Sequence, residues 1–223
     1  MIEITELYRY YDTPQKERFY ALQDINLHIK KGEFVLLHGV SGSGKTTLLS
    51  LIAGMDKPNS GVVKIEGEPI IKLPDQHLSR FRNQHIGIIF QHYNLLENLS
   101  VYDNVATPLI PMKLSLKAID QRVKESLKLA NIAHKSSALA SRLSGGEKQR
   151  TAIARALVTE APIILCDEPT ANLDGANKAI FLEILQQLHQ LGKTIIVSTH
   201  DPIFDELSYI STRIHLVDGK MVP

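Results

Sequence analysis

The sequence predicts an α/β fold: a largely parallel sheet covered by helices, with a β-rich start and a helical insertion in the middle. Three observations carry this. Phe34-Val35-Leu36-Leu37 and Ile163-Ile164-Leu165-Cys166 are short apolar runs with the length and composition of strands buried on both faces. Helix-period apolar patterns alternate with such runs at both ends of the chain, the order that builds a parallel sheet. Between them, roughly residues 91–157, the chain turns helical. A length of 223 residues fits one domain, and 43% hydrophobic with 22% charged residues is ordinary globular composition.

Taken in order, the first 30 residues read as strands, with Leu22, Ile25, Leu27 and Ile29 in near-alternation around Asn26 and His28. Phe34–Leu37 follows, closed by Gly39. After a glycine-rich turn, Thr46 to Ala53 reads as a helix stopped by Gly54. Val62–Ile65 is a strand after the turn Pro58-Asn59-Ser60-Gly61, and Ile86–Phe90 is another. In the middle, Leu116, Ile119, Val123, Leu127 and Ala130 step by three or four and define one helix face. Ser144 to Val158 is a second helical stretch with a serine at its cap. Ile163–Cys166 returns to strand. Ile180, Phe181, Ile184, Leu185, Leu188 and Leu191 form a helix face stopped by Gly192. Thr194–Val197 is a strand, and Ile214 to Val222, turning at Asp218-Gly219, is a hairpin.

Lys and Arg total 25 against 24 Asp and Glu, a formal net charge of +1, so bulk electrostatics give no reason to expect nucleic acid as a partner. The single cysteine, Cys166, forms no internal disulfide and reads as core packing in a reducing compartment. No run approaches the ~20 apolar residues of a membrane span, and the opening MIEITELYRYYD has no apolar stretch of a signal peptide. The expectation is a soluble protein that needs another component to hold it at any membrane.

Gly39-Val40-Ser41-Gly42-Ser43-Gly44-Lys45-Thr46 fits G-x-x-x-x-G-K-S/T between a strand and a helix, followed by Thr47. Glycines let backbone N–H groups converge on phosphate oxygens, and the helix start adds its positive end. Lys45 is placed to reach β- and γ-phosphates, and the Thr46 hydroxyl to bind Mg²⁺. The strand Ile163–Cys166 ends in Asp167 and Glu168. Asp167 is a candidate Mg²⁺ ligand at the carboxyl edge of the sheet, and Glu168 a candidate general base for an attacking water. Leu143-Ser144-Gly145-Gly146-Glu147 opens a helix with two glycines, a second anion site by the same logic.

Phosphate cradle, Leu143–Glu147 and the carboxylate strand, in this order and spacing, resemble the ATP-binding cassette (ABC) ATPases over essentially the whole chain. The resemblance implies a P-loop NTPase core with an N-terminal antiparallel β subdomain. It divides the single cassette, 1–223, into a nucleotide-binding core of 1–90 and 158–223 and a helical signature subdomain of 91–157. It implies that Gln91 senses Mg²⁺ and the membrane partner, and that Asp174 lies in a loop crossing a dimer interface, although Ala171-Asn172-Leu173-Asp174 stands where the family more often has Ser-Ala-Leu-Asp. It implies that His200 contacts the γ-phosphate, and that Tyr11 stacks on adenine, a role for which Tyr8 and Tyr10 compete.

The implied mechanism is ATP hydrolysis by a homodimer. Each ATP, with Mg²⁺, lies between the cradle of one copy and Ser144, Gly145, Gly146 and Glu147 of the other. The dimer would drive an integral-membrane permease from the cytoplasmic face of the inner membrane. Gly54-Met55-Asp56-Lys57-Pro58-Asn59-Ser60-Gly61 and Phe90–Leu96 resemble the branch serving lipoprotein-release, macrolide-export and cell-division (FtsE-like) complexes. Within that branch two outcomes stay open: transport, or force transmitted to an extracytoplasmic partner without transport. Tyr93, Leu95 and Leu96 read equally as a permease-facing groove and as subdomain core. A GTPase would need Asn-Lys-x-Asp, and Asn177-Lys178-Ala179-Ile180 lacks the aspartate.

Overall fold

The structure, a computed structural model, describes residues 1–14 and 17–222. Two sheets enclose one helix. The first is antiparallel in the order β2-β1-β4-β5, from β1 (Ile2–Asp12), β2 (Arg18–Ile29), β4 (Ser60–Ile65) and β5 (Glu68–Pro69). The second runs β10-β9-β3-β8-β7-β6, from β3 (Phe34–His38), β6 (Ile86–Ile89), β7 (Ile163–Asp167), β8 (Thr194–Thr199), β9 (Thr212–Val217) and β10 (Lys220–Val222). Its neighbours are parallel except for the β9–β10 hairpin, where Asp218 and Gly219 both take positive φ.

The central strands are continuous apolar runs because both faces are covered. Phe34, Leu36, Ile164, Cys166, Ile195 and Val197 belong to one buried cluster, and Val35, Leu37, Ile163, Leu165 and Ile196 to another. The second cluster also holds Leu48, Leu49, Leu51 and Ile52 of α1 (Lys45–Ile52) with Ile2, Leu7, Leu22 and Ile25, so α1 lies between the two sheets. The first cluster joins the opposite sheet face to Val101 and Val105 of α3 (Val101–Ala106) and Val123 and Leu127 of α4 (Leu116–Leu129). It continues through Ile153 and Leu157 of α5 (Gly145–Leu157) to Phe181 and Leu185 of α6 (Gly175–Gln190).

Two expectations need correction. Leu116 is 86% exposed and Leu191 65% exposed. Both sit at helix boundaries, Leu116 next to the Ser115 cap and Leu191 at the cap of α6, where the apolar face has already turned past the core. The helix α2 (Asp75–His85) escaped the sequence reading because Leu78 and Phe81 are its only buried residues, too narrow a stripe to register as a period.

Candidate functional site

The parallel sheet ends β3, β7, β8 and β6 on the same edge, and the candidate residues leave from there. Between β3 and α1 the loop from Gly39 to Gly44 is shaped by its glycines. A Cβ on Gly44 would stand 2.5 Å from the Ala21 carbonyl, and its φ of 106° is left-handed. A Cβ on Gly39 would stand 2.4 Å from the Leu216 carbonyl. Gly44 is also the N-cap of α1 and has no side chain to take the first-turn N–H groups. Those of Lys45, Thr46 and Thr47 are therefore left for an external acceptor, at the positive end of the helix dipole. Ser43 Oγ is buried here with no partner among the described residues. Val40 and Ser41 form the exposed tip, with Gly42 beside them at φ 82°. These features fit an anionic phosphate chain.

Lys45 is 5% exposed and curls back over the loop, donating to the Gly39 carbonyl at 2.7 Å and the Val40 carbonyl at 3.1 Å. Its Nζ also lies 3.3 Å from Glu168 Oε1. Thr46 Oγ1 donates to Asp167 Oδ1 at 3.0 Å, and Ser198 Oγ donates to the same oxygen at 2.6 Å. The parallel register sets Asp167 opposite Ser198, so the sheet itself aims that serine. One carboxylate and one hydroxyl suit Mg²⁺, which binds through one or two carboxylates and completes its shell with phosphate oxygens and water. β6 pairs with β7 with Ile89 opposite Cys166, so Gln91 leaves the sheet at the edge of Asp167 and Glu168. Its backbone carbonyl accepts from Asn172 Nδ2 at 3.2 Å. Cys166 is fully buried, and burial pushes its thiol well above the ordinary range.

Glu168 takes a left-handed φ of 43°, with its N–H donating to the Ser198 carbonyl at 2.9 Å. Such backbone strain in a non-glycine residue recurs at functional sites. Its carboxylate meets His200 Nδ1 at 3.0 Å and Lys45, which brings the two predicted catalytic side chains and the cradle lysine together. Asp201, next in the chain after His200, gave no signal in the sequence. It accepts from Lys178 Nζ at 2.6 Å and Thr170 Oγ1 at 2.8 Å, tying α6 and the loop after β7 to the end of β8. Partners 23 and 31 residues away in the chain give no sequence signal.

The second glycine pair stands at the start of α5. Ser144 and Glu147 form a capping box: Ser144 Oγ accepts from the Glu147 N–H, and Glu147 Oε2 accepts from the Ser144 N–H at 2.8 Å. That backbone bond, first, and Lys135 Nζ at 3.1 Å hold the Glu147 carboxyl down at about 2. The Glu147 side chain is thus turned into its own helix start. What Ser144–Gly146 offers an anion is the Ser144 hydroxyl proton and the N–H groups of Gly145 and Gly146. Packing separates this start from the cradle: α5 rests on α3, α4 and β6, whereas α1 rests on β2, β7 and β8. Asp174 caps α6, accepting from the Asn177 N–H at 2.8 Å. Arg155 of α5 donates to the carbonyls of Tyr93 and Asn94, pinning two residues of positive φ after Gln91 to the same helix.

Of the three tyrosines, Tyr10 packs against Tyr20 under Arg18. Tyr11 is 43% exposed, with the Arg9 guanidinium 4.4 Å from its ring centroid and its hydroxyl donating to Asp56 at 3.3 Å. One ring face is covered by a cation, which leaves the other for stacking.

Comparisons with known proteins agree with this geometry. The family described as ABC transporter matches residues 22–171. The Bacitracin export ATP-binding protein BceA of Halalkalibacterium halodurans is 40% identical over 222 residues, 99% of this chain and 87% of that protein. The Macrolide export ATP-binding/permease protein MacB of Aggregatibacter actinomycetemcomitans is 43% identical over 223 residues, all of this chain but 34% of that protein. Among solved structures, the dimeric ABC transporter cassette MJ0796 aligns with a TM-score of 0.92 at 38% identity, covering 100% of this chain and 97% of its own. A post-hydrolysis dimer of the same cassette, bound to ADP and Pi, aligns with a TM-score of 0.92 at 37% identity over the same shares.

Proposed function

Because the chain belongs to the ABC transporter family, whose cassettes bind and hydrolyse ATP, we propose that two copies close head to tail around two Mg²⁺-ATP and drive a separate membrane permease. The observation that carries this reading is the convergence of Lys45, Asp167, Glu168 and His200 at the uncapped start of α1. Thr46 and Asp167 would hold Mg²⁺, with Gln91 approaching from β6. Glu168 would take the proton of the attacking water, steadied by His200, while Lys45 exchanges its loop carbonyls for phosphate oxygens. Tyr11 would stack on the adenine.

Pairing is argued from the second helix start. Ser144–Gly146 has free donors at a positive helix end but packs away from the cradle of its own chain, so a phosphate held by a second copy is the fitting occupant. The dimeric relatives support that arrangement. ATP then binds the closed pair better than the open one, and hydrolysis reverses the bias. The bacitracin- and macrolide-export relatives support a permease partner of the macrolide-export or lipoprotein-release kind, reached from the cytoplasmic face of the membrane. A cassette that passes force to an extracytoplasmic partner without transport would use the same residues. No helix among the described residues is long and apolar enough to cross a membrane. The groove lined by Phe90, Asn94, Pro108, Met112 and Arg155, together with exposed Leu96, is the surface proposed for the permease.

Glu168→Gln is the test. Loss of a general base should cut turnover by about 10²-fold or more, while ATP with Mg²⁺ converts the variant from monomer to dimer in light scattering. Turnover at the parent rate would remove Glu168 from the base role.

A further inference from the structure

Asn177, in the first turn of α6, touches both loops that the pairing reading assigns to the seam. Its Oδ1 accepts from Arg150 Nη1 of α5 at 2.7 Å, and its Nδ2 donates to Asp174 Oδ1 at 3.0 Å. The partners fix the orientation of the amide, since a guanidinium only donates and a carboxylate only accepts. The contact is also steric. A Cβ on Gly146 would stand 2.1 Å from Asn177 Oδ1, so the second signature glycine is the residue that lets α5 lie against this amide. Among the described residues Arg150 has no carboxylate in ion-pair range and its Nε is buried without a partner, which leaves Asn177 as its polar anchor.

We propose that Asn177 is a positioning residue that locks the helix start Ser144–Gly146 to the loop ending at Asp174, so that the two move as one body when copies close. This rests on the pairing reading. A side chain of fixed length between the two loops transmits a displacement of one to the other without a new contact, which is the physical requirement for two shared sites to close together. Lys135 ties the same start through Glu147, so the anion-facing turn has a second anchor besides Asn177.

The test compares Asn177→Ala and Asn177→Asp with the parent in two measurements on the full chain. The first is amide hydrogen exchange without nucleotide. Asn177→Ala should speed exchange in residues 144–150 and 170–177 by about tenfold, the scale of a lost coupling of neighbouring residues. Asn177→Asp keeps the acceptor for Arg150 but sets a carboxylate against Asp174, so only 170–177 should loosen. The second is ATP-driven pairing in the Glu168→Gln background, which either substitution should weaken by about tenfold. Unchanged exchange and unchanged pairing in Asn177→Ala would reduce Asn177 to packing and overturn the inference. Should Asn177→Ala lose its fold, the one-sided loosening in Asn177→Asp decides the matter, and its absence overturns the inference. If Glu168→Gln itself fails to pair with ATP, the two-copy reading falls, and the exchange measurement on single chains still decides the link.

Discussion

Asp167 and Ser198 share one short hydrogen bond, and its role differs from that of the ligands themselves. Ser198 is fully buried on β8 and reaches Asp167 Oδ1 at 2.6 Å, beside Thr46. With Thr46 it fixes the orientation of the carboxylate at the strand end. Ser198→Ala should leave the fold intact and raise the Mg²⁺ concentration for half-maximal ATPase activity about tenfold, the usual cost of losing an outer partner of a metal ligand. An unchanged Mg²⁺ titration would show that the backbone alone aims Asp167. At this scale the sequence was legible where residue type and spacing carry chemistry: Lys45, Thr46, Asp167 and Glu168. Ser198, Asp201, Arg155 and Asn177 were not, because each acts through a partner at least 27 residues away in the chain.

The helix α5 is stabilised at the end assigned to the proposed pairing seam. The capping box and Lys135 satisfy the first turn with a charged partner, and the Glu147 carboxyl is held down at about 2 against an ordinary 4.5. A depressed acid stabilises the fold fully above its unfolded value and loses that contribution as pH falls through the folded one. Glu147→Gln should therefore cost about 1 kcal/mol at neutral pH. In urea unfolding the gap to the parent should narrow from pH 4.5 to about 2. A gap constant across that window would assign the cost to something other than charge. The serine cap and the run to Val158 were readable from the sequence, while α2 was not, because its buried stripe is two residues wide.

On the scale of the whole molecule, the helical stretch and the sheet share one apolar cluster, in which α5 packs against β6 and joins residues of β7. The segment after Gln91 divides its roles along this boundary. Leu95 packs against the cluster, whereas Leu96 is 52% exposed. Leu95 thus takes the core reading, and exposed Leu96 is the residue on which the proposed permease contact is tested. Leu96→Asp should leave basal ATPase activity within about twofold, since exposed substitutions away from the core perturb stability little, and should abolish stimulation by the membrane partner. Full stimulation in that variant would move the docking surface elsewhere.

The sequence by itself determined the α/β class, the order of the main strands and of the strongly periodic helices, and the chemistry of the cradle, because these depend on local periodicity and on residue types a few positions apart. Only the tertiary structure decided which side chains meet. His200 comes to Glu168, Ser198 to Asp167 and Asn177 to Gly146 through the parallel register of β7 and β8 and the approach of α6 to α5. Hydrogen bonds between distant segments form where packing brings donors and acceptors within reach, and no local pattern of residues encodes that distance.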